Sequence, residues 1–270
     1  MTLALLIGTM LAQGLAMSLL MAGAWLIRRQ TGNSGWIDAT WTFGVGLVGA
    51  LSSLITITGA ELTFRQVLVA ALVSIWSLRL GLHIAARTKG GSDDPRYAAL
   101  AREWGDNSQR RMFQFVQAQA VASIPLLATI FLAAHRPGAG LTAQDMLGAA
   151  ILLVAIIGEG IADAQLTAFR NNPSNKGAVC DIGLWSWSRH PNYFFQWLGW
   201  LAYPLIAIDP FGGYAWGWLT LLGPVCMYWL LVHVSGIPLL EQHMLRSRGP
   251  AYRAYQARTS AFFPWPQAAQ

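Results

Sequence analysis

The sequence predicts an all-α, polytopic membrane protein: a helical bundle with about seven transmembrane helices. Hydrophobic residues make up 54% of the 270 residues and charged residues only 11%, and the mean hydropathy is +0.42. A soluble domain carries about 25% charged residues. The apolar runs also recur at about 20 residues, the length that spans a bilayer. A soluble helical protein with a large core needs no such recurrence, so we interpret the chain as an integral membrane protein.

The apolar runs divide the chain into seven segments, which are 3–27, 36–58, 66–86, 113–134, 144–168, 192–208 and 214–238. Turns rich in Pro and Gly, at 136–140 and 209–213, stop the fourth and sixth segments. The first segment has no clear cleavage site and is interpreted as a retained helix. The chain shows no internal repeat, so we predict one membrane domain over residues 1–270.

The distribution of Lys and Arg predicts the orientation. Fifteen of the 18 basic residues lie in the loops after segments 1, 3 and 5 or in the tail after segment 7. The opposite loops contain only Arg65 and Arg136, and Arg79 lies inside segment 3. Because basic residues mark cytoplasmic loops, we expect the N-terminus outside and the C-terminus in the cytoplasm.

Several function classes lack support in the sequence. The net charge of +6 fits cytoplasmic loops of a membrane protein, so we expect no nucleic-acid partner. Cys180 and Cys226 lie far apart, and no zinc-ligand spacing is present, so we expect no disulfide framework and no metal. There is neither a GxSxG motif nor a strand–turn–helix setting for GxGxxG. A dinucleotide would therefore have to bind between helices.

Ionisable residues inside apolar helices are candidates for function, because they are costly in a bilayer. Asp38 begins segment 2 and is either a helix-start carboxylate or a buried acid that orients or protonates a substrate. Arg79, His83 and Arg87 have the spacing i, i+4, i+8 and share one face of segment 3. This face indicates an anion pathway; the alternative for Arg87 is snorkelling toward headgroups.

Segment 5 repeats this pattern with acids. Glu159 and Asp163 are one helical turn apart, and Arg170 follows seven residues later. These residues form either an internal ion pair that holds the bundle together or part of a ligand site. Near an anion, a carboxylate can hold a ribose hydroxyl or an amide, while arginines hold phosphates.

The run 183–193 places charged and hydrogen-bonding side chains directly before segment 6, namely Ser188, Arg189, His190, Asn192 and Tyr193. We interpret it as one wall of a cofactor site that opens to the cytoplasm.

Two further polar stretches accompany this run. The loop 92–97 contributes Asp94, Arg96 and Tyr97, or is a solvated turn. The tail contributes Glu241, Tyr252 and Tyr255 within a basic region that alternatively lies on anionic lipid.

The block from Glu159 to Pro264 resembles the C-terminal domain of membrane steroid 5α-reductases, and most of all their bacterial relatives. Four elements carry the resemblance. The first two are Asp163 with Arg170 seven residues later, and the Gly-Leu-Trp sequence at 183–185. The others are the Ser-Arg-His-Pro-Asn-Tyr sequence at 188–193, and Glu241 followed by two tyrosines and an ending of an aromatic residue and Pro. The stretch 188–193 is also similar to sterol reductases and isoprenylcysteine methyltransferases. Residues 76–79 through 96–97 look like the bacterial branch as well.

The resemblance implies NADPH bound on the cytoplasmic side and reduction of the activated C=C bond of a lipophilic, steroid-like enone that enters from the bilayer. Residues 1–111 would form the substrate-side helices and a cytoplasmic loop, and 112–270 the cofactor-binding part. The bacterial inner membrane is the expected location. The expected cofactor contacts are Arg79, Arg87, Asp94, Arg96, Tyr97, Glu159, Asp163, Arg170, Ser188, Arg189, His190, Asn192, Tyr193, Glu241, Tyr252 and Tyr255. The two tail tyrosines compete for one position, and the spacing from Pro264 favours Tyr255.

The substrate side departs from the animal enzymes. Their Gln-Glu pair near the second helix is not found, Trp76 stands where their tyrosine would be, and Gln196 replaces an acidic residue. A hydrogen-bond donor to the enone oxygen is then expected from a protonated Asp38, from the Trp76 indole or from His83, with Asp38 preferred. The alternatives are an S-adenosylmethionine-dependent membrane methyltransferase, which would need fewer arginines, and a non-catalytic lipid-binding protein.

Overall fold

A computed structural model describes residues 1–57, 61–91, 93–138 and 140–266. Three positions of the predicted segments and loops lie outside these ranges: residue 58 of segment 2, Ser92 of the loop 92–97 and Ala139 of the turn 136–140. The described residues form no strand beyond an isolated bridge between Ser188 and Ser260. Their α-helices are α1 (Leu3–Thr31), α2 (Gly35–Ser53), α3 (Phe64–Gly90), α4 (Pro95–Trp104), α5 (Ser108–Ala122), α6 (Ile124–Ala134), α7 (Ala143–Asn171), α8 (Pro191–Trp200), α9 (Ala202–Ala207), α10 (Leu222–Trp229), α11 (Ile237–Arg248) and α12 (Pro250–Arg258).

Within the described ranges, five helical stretches are long and apolar enough to cross a membrane: Leu3–Thr31, Phe64–Lys89, Arg96–Ala134, Ala143–Asn171 and Ala215–Arg248. Along α1, leucine and isoleucine side chains recur every four residues and are exposed, at positions 3, 7, 11, 15 and 19. Such an apolar face belongs in lipid. The all-helical membrane class is therefore confirmed. Segments 2 and 6 are helical but are not among these five stretches, so the number seven stays a prediction.

Three of the expected continuous segments are interrupted, and in segment 192–208 the break falls at Leu201, between α8 and α9. The segment 113–134 breaks between α5 and α6 at Ser123, because Pro125 has no N–H to continue the helical ladder. The segment 214–238 consists of a 3₁₀ stretch at Ala215–Leu221, then α10, then a wide π turn at Leu230–Val234. Helix α11 begins only at Ile237, with Pro238 in its first turn, and carries Glu241.

The chain forms two compact units, and the functional division expected after residue 111 stays a prediction. The first unit comprises Met1–Ala149 and Ala202–Cys226. In it, α2 packs against both α1 and α3. A Cβ atom at Gly46 would lie 2.0 Å from Ser77 Oγ, and that hydroxyl donates to the carbonyl of Thr42 at 3.0 Å. Small residues therefore allow the close approach of α2 and α3.

The second unit comprises Ala150–Leu201 and Met227–Gln270. Here the α7 backbone approaches α8, since a Cβ atom at Gly158 would lie 2.4 Å from the Phe195 ring. Trp185 donates its indole N–H to the carbonyl of Ala162 at 2.9 Å and so pins the 183–186 turn to α7. Aromatic rings in edge and stacked contacts fill the space beside α8, and they belong to Phe194, Trp197, Tyr228, Phe262 and Phe263.

The first unit contains a buried ion cluster around Asp145, whose side chain is fully buried. Arg65 Nε lies 2.8 Å from Asp145 Oδ1, and Arg136 Nη2 lies 3.1 Å from Oδ2. The Arg65 guanidinium also donates to the carbonyls of Arg136, Gly138 and Gly140. From the sequence, both arginines were expected in loops. The structure buries both, because the Asp145 carboxylate balances their charge and backbone carbonyls accept their hydrogen bonds.

Asp145→Asn tests this cluster without changing its volume. The substitution leaves two buried guanidinium groups without their counter-charge, so we expect a loss of about 3–5 kcal/mol in the free energy of unfolding. Thermal unfolding in detergent measures the change. Arg253→Ala, an exposed charge on α12, is the control and should stay within about 0.5 kcal/mol of wild type. Equal unfolding midpoints for wild type and Asp145→Asn would show that the cluster contributes nothing.

Candidate functional site

The first unit contains a polar cluster built on Asp38, in the first turn of α2. Tyr97 Oη donates to Asp38 Oδ1 at 2.5 Å, and Arg96 Nη2 lies 2.6 Å from Asp38 Oδ2. Gln119 Nε2 donates to Tyr97 Oη at 3.1 Å. Tyr97 is 4% exposed. Three candidate residues that are up to 59 positions apart are thus joined around one carboxylate.

Asp94 positions Arg96 and Tyr97 by starting α4. As the N-cap residue, it accepts a hydrogen bond from Arg96 N at 3.0 Å, and its two carboxylate oxygens accept from Arg96 Nε at 3.0 Å and Nη2 at 2.8 Å. Burial raises the pKa of Asp94, but the hydrogen bonds and charge of Arg96 outweigh it and hold the pKa below its ordinary value. Asp93 Oδ1 accepts from Ser34 N at 2.7 Å and so fixes the loop to the start of α2. The alternative of a solvated loop is therefore wrong.

The basic face predicted for segment 3 lies on one continuous helix, α3. Arg79, His83 and Arg87 are separated by single turns, as expected. Arg87 is exposed, whereas Arg79 and His83 are half-buried. Trp76 is 4% exposed and lies one turn before Arg79. Their roles as cofactor or substrate contacts stay predictions.

In the second unit, two acids of α7 are buried one turn apart. Glu159 is 5% and Asp163 is 7% exposed. Asn192, in the first turn of α8, donates from Nδ2 to Asp163 Oδ1 at 3.3 Å. Arg170 lies in the last turn of α7 and is exposed. The structure thus joins an acid of α7 to the amide at the beginning of α8.

A further carboxylate of this unit, Glu241, accepts hydrogen bonds from Arg189, His190 and Gln256. Arg189 Nε lies 2.7 Å and His190 Nε2 lies 3.1 Å from Glu241 Oε1, and Gln256 Nε2 donates to Oε2 at 2.7 Å. Arg189 Nη1 also donates to the carbonyls of Gln256 at 3.2 Å and Thr259 at 2.5 Å. Nε and Nη1 of Arg189 are therefore engaged within the protein, which reduces what this guanidinium can offer a phosphate.

Other residues of the motif also join the loop 183–190 to the tail. Ser188 Oγ donates to the carbonyl of Phe262 at 2.9 Å, and Tyr255 Oη donates to the carbonyl of Trp185 at 2.5 Å. Tyr252 and Tyr255 are 3% and 2% exposed, and burial raises the pKa of both phenols. The geometry gives Ser188 and Tyr255 a structural role; cofactor contact stays a prediction for them and for Tyr252.

His190 is buried, with 1% of its surface exposed, and stacks on Tyr193 with ring centroids 5.5 Å apart. Burial lowers its pKa and outweighs the opposing effect of Glu241, so the imidazole is neutral near neutral pH. Its Nδ1 has no hydrogen-bond partner among the described residues. A buried acceptor left unpaired costs about 1–3 kcal/mol.

Sequence reasoning missed two residues of these clusters, Gln119 and Gln256. Both carry neutral amides, whereas the search for costly groups considered ionisable side chains. The available signal for Gln119 was a polar side chain inside an apolar run, a signal that Gln114 and Gln117 share. Among the described residues, no group of His, Cys, Asp and Glu could hold a metal ion, and Cys180 and Cys226 are free thiols.

Glu241→Gln tests the connection between loop and tail. The neutral amide no longer balances Arg189, so we expect a loss of about 2–4 kcal/mol in the free energy of unfolding and faster hydrogen exchange in 183–190 and 259–266. Hydrogen-exchange mass spectrometry measures both segments. Lys176→Gln removes an exposed charge from the same unit and should leave both segments unchanged. Unaltered exchange in Glu241→Gln would contradict the structural role of this carboxylate.

Comparison with known proteins places the chain in a family. A family model described as "Protein of unknown function (DUF1295)" matches residues 24–259. A protein of Schizosaccharomyces pombe that is described as uncharacterized is 26% identical over 282 residues, which cover 93% of this chain and 78% of the yeast protein. No solved structure matches the chain. Because the family model covers most of its length, the chain belongs to the DUF1295 family.

Proposed function

We propose that this protein is a membrane oxidoreductase that uses NADPH to reduce the activated C=C bond of a lipophilic, steroid-like enone. The observation that carries the proposal is the hydrogen bond between Asn192 and Asp163. It joins two of the three residues that the resemblance to steroid 5α-reductases assigns most directly to the cofactor. The resemblance over residues 159–264 supplies the reaction class.

The side chains of the second unit fit a nicotinamide nucleotide. A carboxylate and an amide side by side, as at Asp163 and Asn192, can hold ribose hydroxyls or a carboxamide. Arg170 is exposed at the end of the same helix, where a guanidinium can hold a phosphate bidentately. The N-terminus of α8, beside Asn192, adds the positive end of a helix dipole. His190 Nδ1 adds a buried acceptor for a donor group.

The first unit supplies a revised donor for the substrate. Asp38 accepts from both Arg96 and Tyr97, and a carboxylate in this arrangement has no proton to give. We therefore propose Tyr97 as the donor, in place of the protonated Asp38 preferred from sequence. Tyr97 is not at the position of the tyrosine in the animal enzymes, because the resemblance places Trp76 there.

Each unit is assigned its own part of the proposed reaction, from its own contacts. Bound NADPH would supply the hydride for the β-carbon of the enone. Tyr97 turns its O–H from Asp38 toward the enone oxygen and stabilises the negative charge of the enolate by a hydrogen bond. A proton from water then adds to the α-carbon, so that hydride and proton together saturate the C=C bond. Arg96 and the Gln119 amide N–H stabilise the tyrosine oxygen as its proton shifts. One such hydrogen bond in a dry site is worth about 3 kcal/mol.

The setting of the reaction is part of the same proposal. The bias of basic residues favours a cytoplasmic C-terminus. The resemblance to bacterial relatives favours a bacterial inner membrane, and we propose seven spans. A lipophilic substrate would enter sideways from the bilayer. Membrane lipid is then the only other partner we propose.

A second candidate is an S-adenosylmethionine-dependent methyltransferase, and the contacts of Arg189 favour it. With Nε and Nη1 directed to Glu241 and two carbonyls, this arginine is less available for the phosphates that distinguish NADPH from a sulfonium cofactor.

Substitutions at Arg170 and Asp163 test the cofactor. Arg170→Ala removes a charge-assisted phosphate contact, and we expect the NADPH dissociation constant to rise about 10- to 100-fold. Asp163→Asn, which keeps the volume of the side chain, should weaken NADPH binding about tenfold. Calorimetric titration of the detergent-purified protein measures both, with Arg253→Ala as the exposed-arginine control.

Titration with S-adenosylmethionine, run in parallel, distinguishes the candidate functions. Binding of that ligand alone would select the second candidate, and binding of neither would leave a non-catalytic lipid-binding protein.

Tyr97→Phe tests the donor. The variant keeps the ring but loses the O–H, so we expect single-turnover oxidation of NADPH with a steroid enone to slow about 100-fold while NADPH affinity is unchanged. Tyr214→Phe is the matched control, because Tyr214 also donates one buried hydrogen bond, to the carbonyl of Leu132 at 3.0 Å. The control should keep the wild-type rate. An undiminished rate in Tyr97→Phe would exclude this phenol as the donor.

A further inference from the structure

His190 carries one hydrogen-bonding atom that the described residues leave unused. The ring is 1% exposed, and its Nε2 lies 3.1 Å from Glu241 Oε1. Its Nδ1 is buried and has no partner in the part of the chain that the structure describes. A buried polar atom without a partner is rare in proteins and calls for an explanation.

The contacts of Glu241 decide which imidazole nitrogen bears the proton. This carboxylate accepts from Arg189 at 2.7 Å and from Gln256 at 2.7 Å, and both are donors that retain their hydrogens. A carboxylate held in this way acts as an acceptor toward His190 as well, so Nε2 bears the hydrogen. In a neutral imidazole the other nitrogen is then an acceptor. Nδ1 therefore requires a donor, an O–H or an N–H.

The position of His190 connects this atom to the proposed nucleotide. His190 immediately precedes α8, and Asn192, two residues later, donates to Asp163. The ring of Tyr193, stacked on the imidazole at an interplanar angle of 11°, is only half-buried. One face of the imidazole therefore lies against a side chain that is itself partly exposed.

We infer that His190 Nδ1 accepts a hydrogen bond from the nicotinamide nucleotide, either from its carboxamide N–H or from a ribose hydroxyl, while Glu241 holds the imidazole in the required tautomer. This inference rests on the proposed function. It turns His190 into a positioning residue for the cofactor and Glu241 into the group that orients it.

Two substitutions separate the nitrogens of the ring. His190→Gln places an amide near the position of Nε2, so the bond to Glu241 is kept and the Nδ1 acceptor is lost. His190→Asn places an amide near the position of Nδ1, so the acceptor is kept and the bond to Glu241 is lost. We expect His190→Gln to weaken NADPH binding about tenfold and His190→Asn to weaken it less. Thermal unfolding of both variants measures the structural effect separately.

A cofactor analogue distinguishes the two donors without altering the protein. Reduced 3-acetylpyridine adenine dinucleotide phosphate lacks the carboxamide N–H but keeps both riboses. If the carboxamide is the donor, wild type binds this analogue about tenfold more weakly than NADPH, and His190→Gln binds the two equally. If a ribose hydroxyl is the donor, His190→Gln weakens both ligands by the same factor. Nitrogen-15 NMR of histidine-labelled wild-type protein should show the Nδ1 resonance of His190 shifting when NADPH is added.

The outcomes separate this inference from the proposed function. Wild type that binds NADPH while His190→Gln binds it equally well, with an unshifted Nδ1 resonance, overturns the role of His190 and leaves the proposed function intact. Wild type that binds no nicotinamide nucleotide overturns both.

Discussion

Among the described residues, three carboxylates organise polar clusters, and each is shielded from most of the water that would otherwise solvate its charge, with side-chain exposures of 0% for Asp145, 22% for Asp38 and 13% for Glu241. Asp145 pairs with Arg65 and Arg136, Asp38 with Arg96, and Glu241 with Arg189. In each cluster, carbonyls, amides or hydroxyls form further hydrogen bonds with the same carboxylate or guanidinium. A buried ion pair gains little stability over well-packed apolar residues, but removal of one partner is strongly destabilising. The three clusters therefore fix which segments meet, more than they add to the total stability.

The same physics limits what the sequence could predict. Composition and apolar runs were sufficient for the helical membrane class, and the single-turn spacing of Arg79, His83 and Arg87 was sufficient for their common face. The interruption at Ser123 follows from Pro125, which the sequence displays, whereas the π turn at 230–234 has no such local signal. Costly residue types were recognised as candidates because charge in an apolar helix is visible without a structure.

The partners of these candidates were not predictable in the same way. His190 and Glu241 are 51 positions apart, and Tyr97 and Asp38 are 59 apart. Which acid meets which base depends on how helices pack, and periodicity does not contain that information. For this reason the contacts of Arg189 with Glu241 and two carbonyls were not predicted, and its expected contact with the cofactor stays a prediction. Neutral amides such as Gln256 escaped notice because they cost less to bury than charges do, yet they complete the same networks.

In the second unit, side chains that use their hydroxyl proton within the protein differ from those that have a further donor or acceptor. Ser188 and Tyr255 each donate their hydroxyl proton to a backbone carbonyl, at 2.9 Å and 2.5 Å, so their contacts in this structure join the loop to the tail. Asn192 and His190 differ, since an amide and an imidazole each have a second site. The imidazole of His190 uses one nitrogen to bind Glu241 and keeps the other as an acceptor. The motif 188–193 thus combines two tasks: its first half fastens the tail to the bundle, and its second half begins a helix beside Asp163.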